Sequence, residues 1–181
     1  MREVEIKAAC TPEALAALKD WLLQRGYVRT AEYRQTDDYY DHPARSFAET
    51  DEALRLRRVI SAGGETAELC YKGPNRAERG QSREELESAV SDAAAVETML
   101  RRLGFWLVAT VKKERCSFAK EDVTVSLDRV EELGCFFEME ILCPESETAA
   151  AVFRLEKLME ELHFASPREE KRTYLELLLE K

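Results

Sequence analysis

Arg2-Glu3-Val4-Glu5-Ile6-Lys7 opens the chain, and the reading of this stretch decides how the rest is read. Successive side chains of a β-strand point to opposite faces, so Glu3, Glu5 and Lys7 share one side while Val4, Ile6 and Ala8 share the other. Two carboxylates and an ammonium then line one face. Taken alone, the pattern is that of a half-buried strand with a solvated side. Its meaning depends on whether other strands repeat it.

They do. The extended run from Tyr27 to Asp41 sets Gln35, Asp37, Tyr39 and Asp41 on one face, and Ala53 to Ile60 sets Arg55 and Arg57 opposite Leu54 and Leu56. Gly63-Gly64 signals a tight turn, so Thr66 to Lys72 returns as a hairpin partner with Glu68, Cys70 and Lys72 in phase. Ser82 to Val90 places Arg83, Glu85 and Glu87 together. Trp106 to Phe118 carries Lys113 and Arg115 in phase, Val123 to Asp128 ends on an aspartate, and Leu133 to Cys143 carries Glu138 and Glu140. Lys112 and Arg58 fall on the opposite faces and are expected at the surface.

Helices are expected between these strands. Thr11-Pro12 reads as an N-cap with proline at the first helical position, Leu15, Leu18 and Leu22 recur at helical spacing, and Gly26 supplies the stop. Ser91 or Asp92 caps a helix that ends near Gly104. Pro144-Glu145-Ser146 starts a third, with Val152, Leu155, Met159 and Leu162 as its apolar stripe. Ser166-Pro167-Arg168-Glu169 has the form of a capping box and predicts the start of the last helix. About eight strands, several of them consecutive, and four helices predict an α+β domain on an antiparallel sheet.

At 181 residues the chain is expected to form one domain, 1–181, with a substantial core. With 45% hydrophobic and 35% charged residues it has a globular composition, not a disordered one. No apolar run reaches the length of a membrane span, residues 1–30 lack the regions of a signal peptide, and the cytoplasm is the expected location. Five cysteines without a C-x-x-C pair read as reduced packing residues, and two scattered histidines make no His-rich site. A metal would be held by carboxylates, which favours Mg²⁺ or Mn²⁺. The formal charge of −9 argues against an extended nucleic-acid surface but leaves room for a local basic pocket.

Two arrangements fit the charged faces. They can all meet solvent, or the sheet can curl into a closed barrel whose charged faces line a tunnel, which also removes exposed strand edges. Charge enclosed without a partner costs several kcal/mol per ion, so a tunnel calls for opposite-sign neighbours and for a bound polyanion with its metal ions. Arg and Lys suit phosphate oxygens, and clustered carboxylates suit a hard divalent cation.

In order along the chain, these segments resemble the CYTH superfamily, the triphosphate tunnel metalloenzymes. The resemblance rests on Glu3-x-Glu5-x-Lys7; Gln35-Thr36-Asp37-Asp38-Tyr39-Tyr40-Asp41, with Tyr40 where phenylalanine is usual; Leu54-Arg55-Leu56-Arg57; and Lys72-Gly73-Pro74. It continues through Arg83-Glu84-Glu85-Leu86-Glu87, Lys113-Glu114-Arg115, Asp128 and Leu133-Gly134 with Glu138-Met139-Glu140. Arg172-Thr173-Tyr174-Leu175-Glu176-Leu177-Leu178 completes it, with Thr173 replacing serine. The Lys-Gly-Pro and the tail are most similar to the class IV adenylate cyclase branch.

That resemblance implies an eight-stranded antiparallel barrel with an open tunnel and helices outside. It implies metal carboxylates at Glu3, Glu5, Glu138 and Glu140, with Asp128 close to the metals. Phosphate contacts are implied at Lys7, Arg55, Arg57, Lys72, Arg83, Lys113 and Arg115, with Lys7, Arg57, Lys113 and Asp128 in catalytic roles. The ordinary alternative for each is a structural ion pair, and Tyr39 and Tyr174 read as packing or hydrogen-bonding residues. The implied activity is Mg²⁺- or Mn²⁺-dependent conversion of ATP to cyclic AMP and pyrophosphate. The alternatives are an inorganic, thiamine or nucleoside triphosphatase, or a non-catalytic polyphosphate- or nucleotide-binding module. The implied partner is a small-molecule triphosphate; no membrane is expected, and the cyclase branch implies a homodimer.

Overall fold

Each alternating run of the sequence is a strand in the computed structural model, which describes residues 2–74, 84–162 and 165–181. In chain order the elements are β1 (Arg2–Cys10), α1 (Pro12–Gln24), β2 (Val28–Asp41), α2 (Phe47–Thr50), β3 (Ala53–Ser61), β4 (Gly64–Lys72) and β5 (Glu85–Val90). There follow α3 (Ala93–Arg102), β6 (Trp106–Lys120), β7 (Val123–Val130), β8 (Gly134–Cys143), α4 (Thr148–Glu161), β9 (Arg168–Glu169) and α5 (Tyr174–Leu179). The strands form one sheet in the order β5-β4-β3-β2-β6-β7-β8-β1-β9. Eight strands were expected; the ninth, β9, is two residues long. Hydrogen bonds among the described residues leave the order linear, ending on β5 and β9, and do not close it into a ring.

The chain divides into two compact units, Met1–Tyr33 with Lys113–Leu177, and Arg34–Lys112 with Leu178–Lys181. In the first, the apolar face of β1, β6, β7 and β8 (Val4, Ala8, Phe118, Val125, Phe137, Met139, Ile141) is covered by Leu15, Leu18 and Leu22 of α1 and by Ala151 and Leu155 of α4. Burial of each large side chain contributes roughly 1.5–3 kcal/mol. The Thr11 hydroxyl accepts the Ala14 N–H at 3.2 Å, and the chain leaves α1 through Gly26 at φ 81°, a conformation that favours glycine. Of the expected stripe of α4, Leu155 and Leu162 are buried and Met159 packs against the core, but Val152 is 37% exposed and Ala151 takes its place in the core.

The start of the last helix differs from expectation. Arg168 and Glu169 pair with Ala9 and Ala8 as β9, and the Glu170 N–H donates to the Lys7 carbonyl at 2.8 Å. Backbone bonds to the edge of β1 win over a local capping preference. A working capping box lies farther on, where the Thr173 hydroxyl accepts the Glu176 N–H at 3.2 Å and the Glu176 carboxylate accepts the Thr173 N–H at 2.6 Å.

In the second unit β3 and β4 form the expected hairpin, closing at Ser61 opposite Gly64. Its core holds Tyr40, Phe47, Leu54, Leu56 and Leu100, the last from α3, which Asp92 caps by accepting the Ala95 N–H at 2.9 Å. Arg58 is not the free surface residue expected; it is half-buried and paired with Asp38 and with Glu97, the latter at 3.0 Å.

Candidate functional site

Strand register builds the polar face of the first unit. Lys7 stands opposite Glu138 and Glu5 opposite Glu140 across β1 and β8; Glu138 stands opposite Ser126 across β8 and β7; Asp128 stands opposite Arg115 across β7 and β6. Because the side-chain period is two, these pairings put Glu3, Glu5, Lys7, Lys113, Arg115, Asp128, Glu138 and Glu140 on one side.

Asp128 is its hub. Fully buried, it accepts Lys113 Nζ at 3.0 Å, Arg115 Nε at 2.7 Å and Nη2 at 2.5 Å, and the Tyr174 hydroxyl at 2.9 Å. Burial by itself would raise the Asp128 pKa, but the Arg115 hydrogen bonds and the two cations outweigh it and hold it below the usual carboxylate range. For Lys113 the balance goes the other way: burial lowers its pKa, and the attraction of Asp128 does not recover it. Arg115 also hydrogen-bonds Glu138. Lys7 Nζ donates to the backbone carbonyl of Arg172 at 2.5 Å.

The remaining carboxylates are in a different condition. Glu5 is open to solvent yet hemmed in by protein, and this enclosure, followed by repulsion from Glu138, pushes its pKa up to about 7; Lys7 offsets only part of the shift. Glu140 is raised too, by burial and then by Glu3. On this face the carboxyl groups of Glu3, Glu5, Asp128, Glu138 and Glu140 outnumber the cations Lys7, Lys113 and Arg115 by five to three. Oxygen-only donors with that excess suit a hard divalent cation. Among the described residues, however, no three of these groups are drawn together as a ready-made ligand cluster.

The second unit carries its own polar face. Asp37, buried, accepts Arg57 Nε and Nη2 at 2.8 Å each and Gln35 Nε2 at 2.8 Å, and Arg55 lies 3.9 Å away. Burial opposes the charge of Arg57, but the bonds to Asp37 hold its pKa above the ordinary arginine value. Glu68 lies 3.6 Å from Arg57, and Lys72 is paired with Glu85. Arg55 Nε is buried with no hydrogen-bond partner. Arg83 lies outside the described residues.

The structure thus gathers Glu3, Glu5, Lys7, Lys113, Arg115, Asp128, Glu138 and Glu140 in one unit and Arg55, Arg57 and Lys72 in the other. Two residues gain weight beyond the sequence reading. Asp37 was legible as an in-phase position of β2 but not as the bidentate partner of Arg57. Tyr174 sits on Asp128, and nothing in the local sequence signals this.

A sheet with such a face is that of a CYTH protein. The model of the CYTH domain matches residues 1–174, and the chain belongs to that family. It is 31% identical over 178 residues, 98% of both chains, to a Methanocaldococcus jannaschii protein that carries a provisional adenylate cyclase name. Among solved structures, PH1819 of Pyrococcus horikoshii matches with a TM-score of 0.81 and 37% identity, covering 99% of both chains. A Hippeastrum protein named for adenylyl cyclase and described as having a dominant triphosphatase activity matches with a TM-score of 0.71. Its 20% identity, over 97% of this chain and 94% of that one, shows a shared fold alone. No helix among the described residues is long and apolar enough to cross a membrane.

Proposed function

We propose that the protein is a divalent-metal-dependent enzyme that binds the phosphate chain of a triphosphate and converts ATP to cyclic AMP and pyrophosphate. The observation that carries this reading is the first unit's polar face, where three cations, two of them fixed in place by Asp128, stand beside five carboxylates. Lys113 and Arg115, oriented by Asp128, and Lys7 bind phosphate oxygens and offset the charge that develops on them. Lys113, its proton loosened by burial, is suited to donate that proton to a leaving phosphate oxygen. Asp128 spends its oxygens on Lys113, Arg115 and Tyr174, and so acts by holding the cations. Glu3, Glu5, Glu138 and Glu140 would hold Mg²⁺ or Mn²⁺, which supplies charge neutralisation at phosphate and activation of the attacking oxygen. On the family resemblance, Arg55, Arg57, Lys72 and Arg83 are proposed as further phosphate contacts.

The cyclase reading draws support from the name of the M. jannaschii relative. A second reading, hydrolysis of a triphosphate by water, draws support from the activity described for the Hippeastrum protein. Both use the same phosphate-binding face and differ in the nucleophile. Incubation with ATP, tripolyphosphate and thiamine triphosphate in turn, each with Mg²⁺ or Mn²⁺, separates them. Cyclic AMP with pyrophosphate supports the first, and released phosphate the second. No product from any of the three overturns both in favour of a binding module.

A further inference from the structure

The C-terminal segment ends on the polar face of the first unit. It is fastened to β1 at Ala8 and Ala9, then through the Glu170 N–H on the Lys7 carbonyl, and then through the Arg172 carbonyl, which accepts Lys7 Nζ at 2.5 Å. Tyr174 follows at once. Its ring lies 4.8 Å from Lys7 Nζ and 5.1 Å from Lys113 Nζ, measured to the ring centroid, and its edge-on contact with Phe136 is at 5.1 Å. Its hydroxyl donates to Asp128 at 2.9 Å. One side chain therefore touches two ammonium groups and the carboxylate that holds one of them.

Two like charges drawn to one place repel, and a lysine ammonium on a four-carbon stem has rotamer freedom to move away. An aromatic ring offsets both tendencies, because its quadrupole attracts each cation without neutralising it and without using its N–H donors. Among the described residues Lys7 Nζ makes one hydrogen bond, to the Arg172 carbonyl, and an ammonium has three donors, so two can meet an anion while the ring stays in contact. A carboxylate in the same place would hold the lysines by spending the charge that a phosphate needs. Phe136 and Asp128 in turn fix the ring, one by packing and one through the hydroxyl.

We infer that Tyr174 is a positioning residue whose single ring holds Lys7 and Lys113 as a two-ammonium clamp for a phosphate chain. The inference rests on the triphosphate reading proposed above and adds to it a residue that touches no phosphate. The ring carries the effect, and the hydroxyl only anchors the ring. Replacing tyrosine by phenylalanine therefore leaves most of the clamp, and replacing it by leucine removes it.

The test uses the full chain, wild type, Y174F and Y174L, with two readouts. Titration calorimetry with tripolyphosphate is expected to show a Kd within about 3-fold of wild type for Y174F and raised about 5-fold or more for Y174L, which loses both cation–π contacts. The second readout is the proton spectrum of lysine-selectively labelled protein. Ring currents of Tyr174 should displace the ε-methylene signals of Lys7 and Lys113 in wild type and Y174F and not in Y174L. Undisplaced lysine signals in wild type, or a Y174L affinity equal to wild type, overturn the inference. Y174F as damaged as Y174L also overturns it, because the hydroxyl would then carry the effect. Displaced lysine signals in a wild type that binds no tripolyphosphate leave the pairing in place and overturn the triphosphate reading instead. Should Y174L fail to fold, the wild-type spectrum and the Y174F affinity still decide.

Discussion

Replacing Asp128 by asparagine should be the most damaging isosteric change on the polar face. The substitution keeps the shape, one carbonyl oxygen and a partner for the Tyr174 hydroxyl, and removes the one negative charge that serves both Lys113 and Arg115. The site is fully buried, so solvent does not make up the loss. Arg115 retains its ion pair with Glu138, and the cost falls chiefly on Lys113, whose enclosed ammonium loses its only salt bridge among the described residues and keeps just the longer-range attraction of Glu138. Breaking one side of a buried ion pair costs about 3–5 kcal/mol, which for a chain of this length lowers Tm by about 6–20 °C. Urea unfolding at pH 7 with an unchanged m-value measures it. Because the Asp128 pKa is depressed in the folded protein, its contribution is complete above the unfolded value of 3.8 and is lost as pH falls through the folded one. The gap between wild type and D128N should thus narrow in strong acid. A deficit under about 1 kcal/mol at pH 7, or one that does not change with acid, would refute the account of Asp128 as the hub.

Glu5, with its pKa pushed up to about 7, must lose its proton before it can bind a cation, so apparent Mg²⁺ affinity should fall about 10-fold per pH unit below 7. Calorimetry in buffers of different ionisation enthalpy should detect the released proton, and an E5Q variant that keeps the same slope would remove Glu5 from the metal set. The same raised pKa means that Glu5 lowers stability as pH rises from 4.5 towards 7, by an amount that solvent access reduces. Glu138→Ala should abolish metal-dependent turnover while circular dichroism stays native; retained turnover contradicts the metal assignment. Lys7→Ala should raise the KM for tripolyphosphate more than that for pyrophosphate, and equal effects count against a clamp that spans the chain.

What could be read from the sequence followed from the strand period. Glu3, Glu5 and Lys7 share a face in any β1, and Arg55 with Arg57, Lys113 with Arg115 and Glu138 with Glu140 likewise, because backbone geometry leaves no other choice. Register was not legible. Whether Lys7 stands opposite Glu138 or a residue away depends on how the apolar faces of β1 and β8 meet α1 and α4, and no local pattern contains that. The same holds for α4, where Val152 looked as apolar as Ala151 but the sheet covers the smaller residue. At Ser166-Pro167-Arg168-Glu169 a sound local signal lost to the open edge of β1, which takes Arg168 and Glu169 as a strand. Arg58 was misjudged because its partners Asp38 and Glu97 come from elements distant in sequence.

Burial then separates side chains that the sequence leaves alike. Asp128 and Glu5 are both in-phase carboxylates of one polar face, yet Asp128 is enclosed with cations and a phenol on its oxygens, whereas Glu5 keeps an open side and is crowded by other carboxylates. Both oxygens of the first are engaged, three of its four hydrogen bonds falling on Oδ2, and its charge is already offset. The second, with its pKa pushed up to about 7 by enclosure and then by repulsion from Glu138, is only partly offset by Lys7. A face in which every carboxylate was paired like Asp128 would be a structural network, complete in itself. The excess at Glu3, Glu5 and Glu140 is instead a cost that folding leaves in place, and a mobile divalent cation arriving with a phosphate chain relieves it on both sides, since the metal meets the carboxylates and Lys7, Lys113 and Arg115 meet the phosphates. That division of one face into settled and unsettled charge favours a binding and reacting surface over a purely structural one.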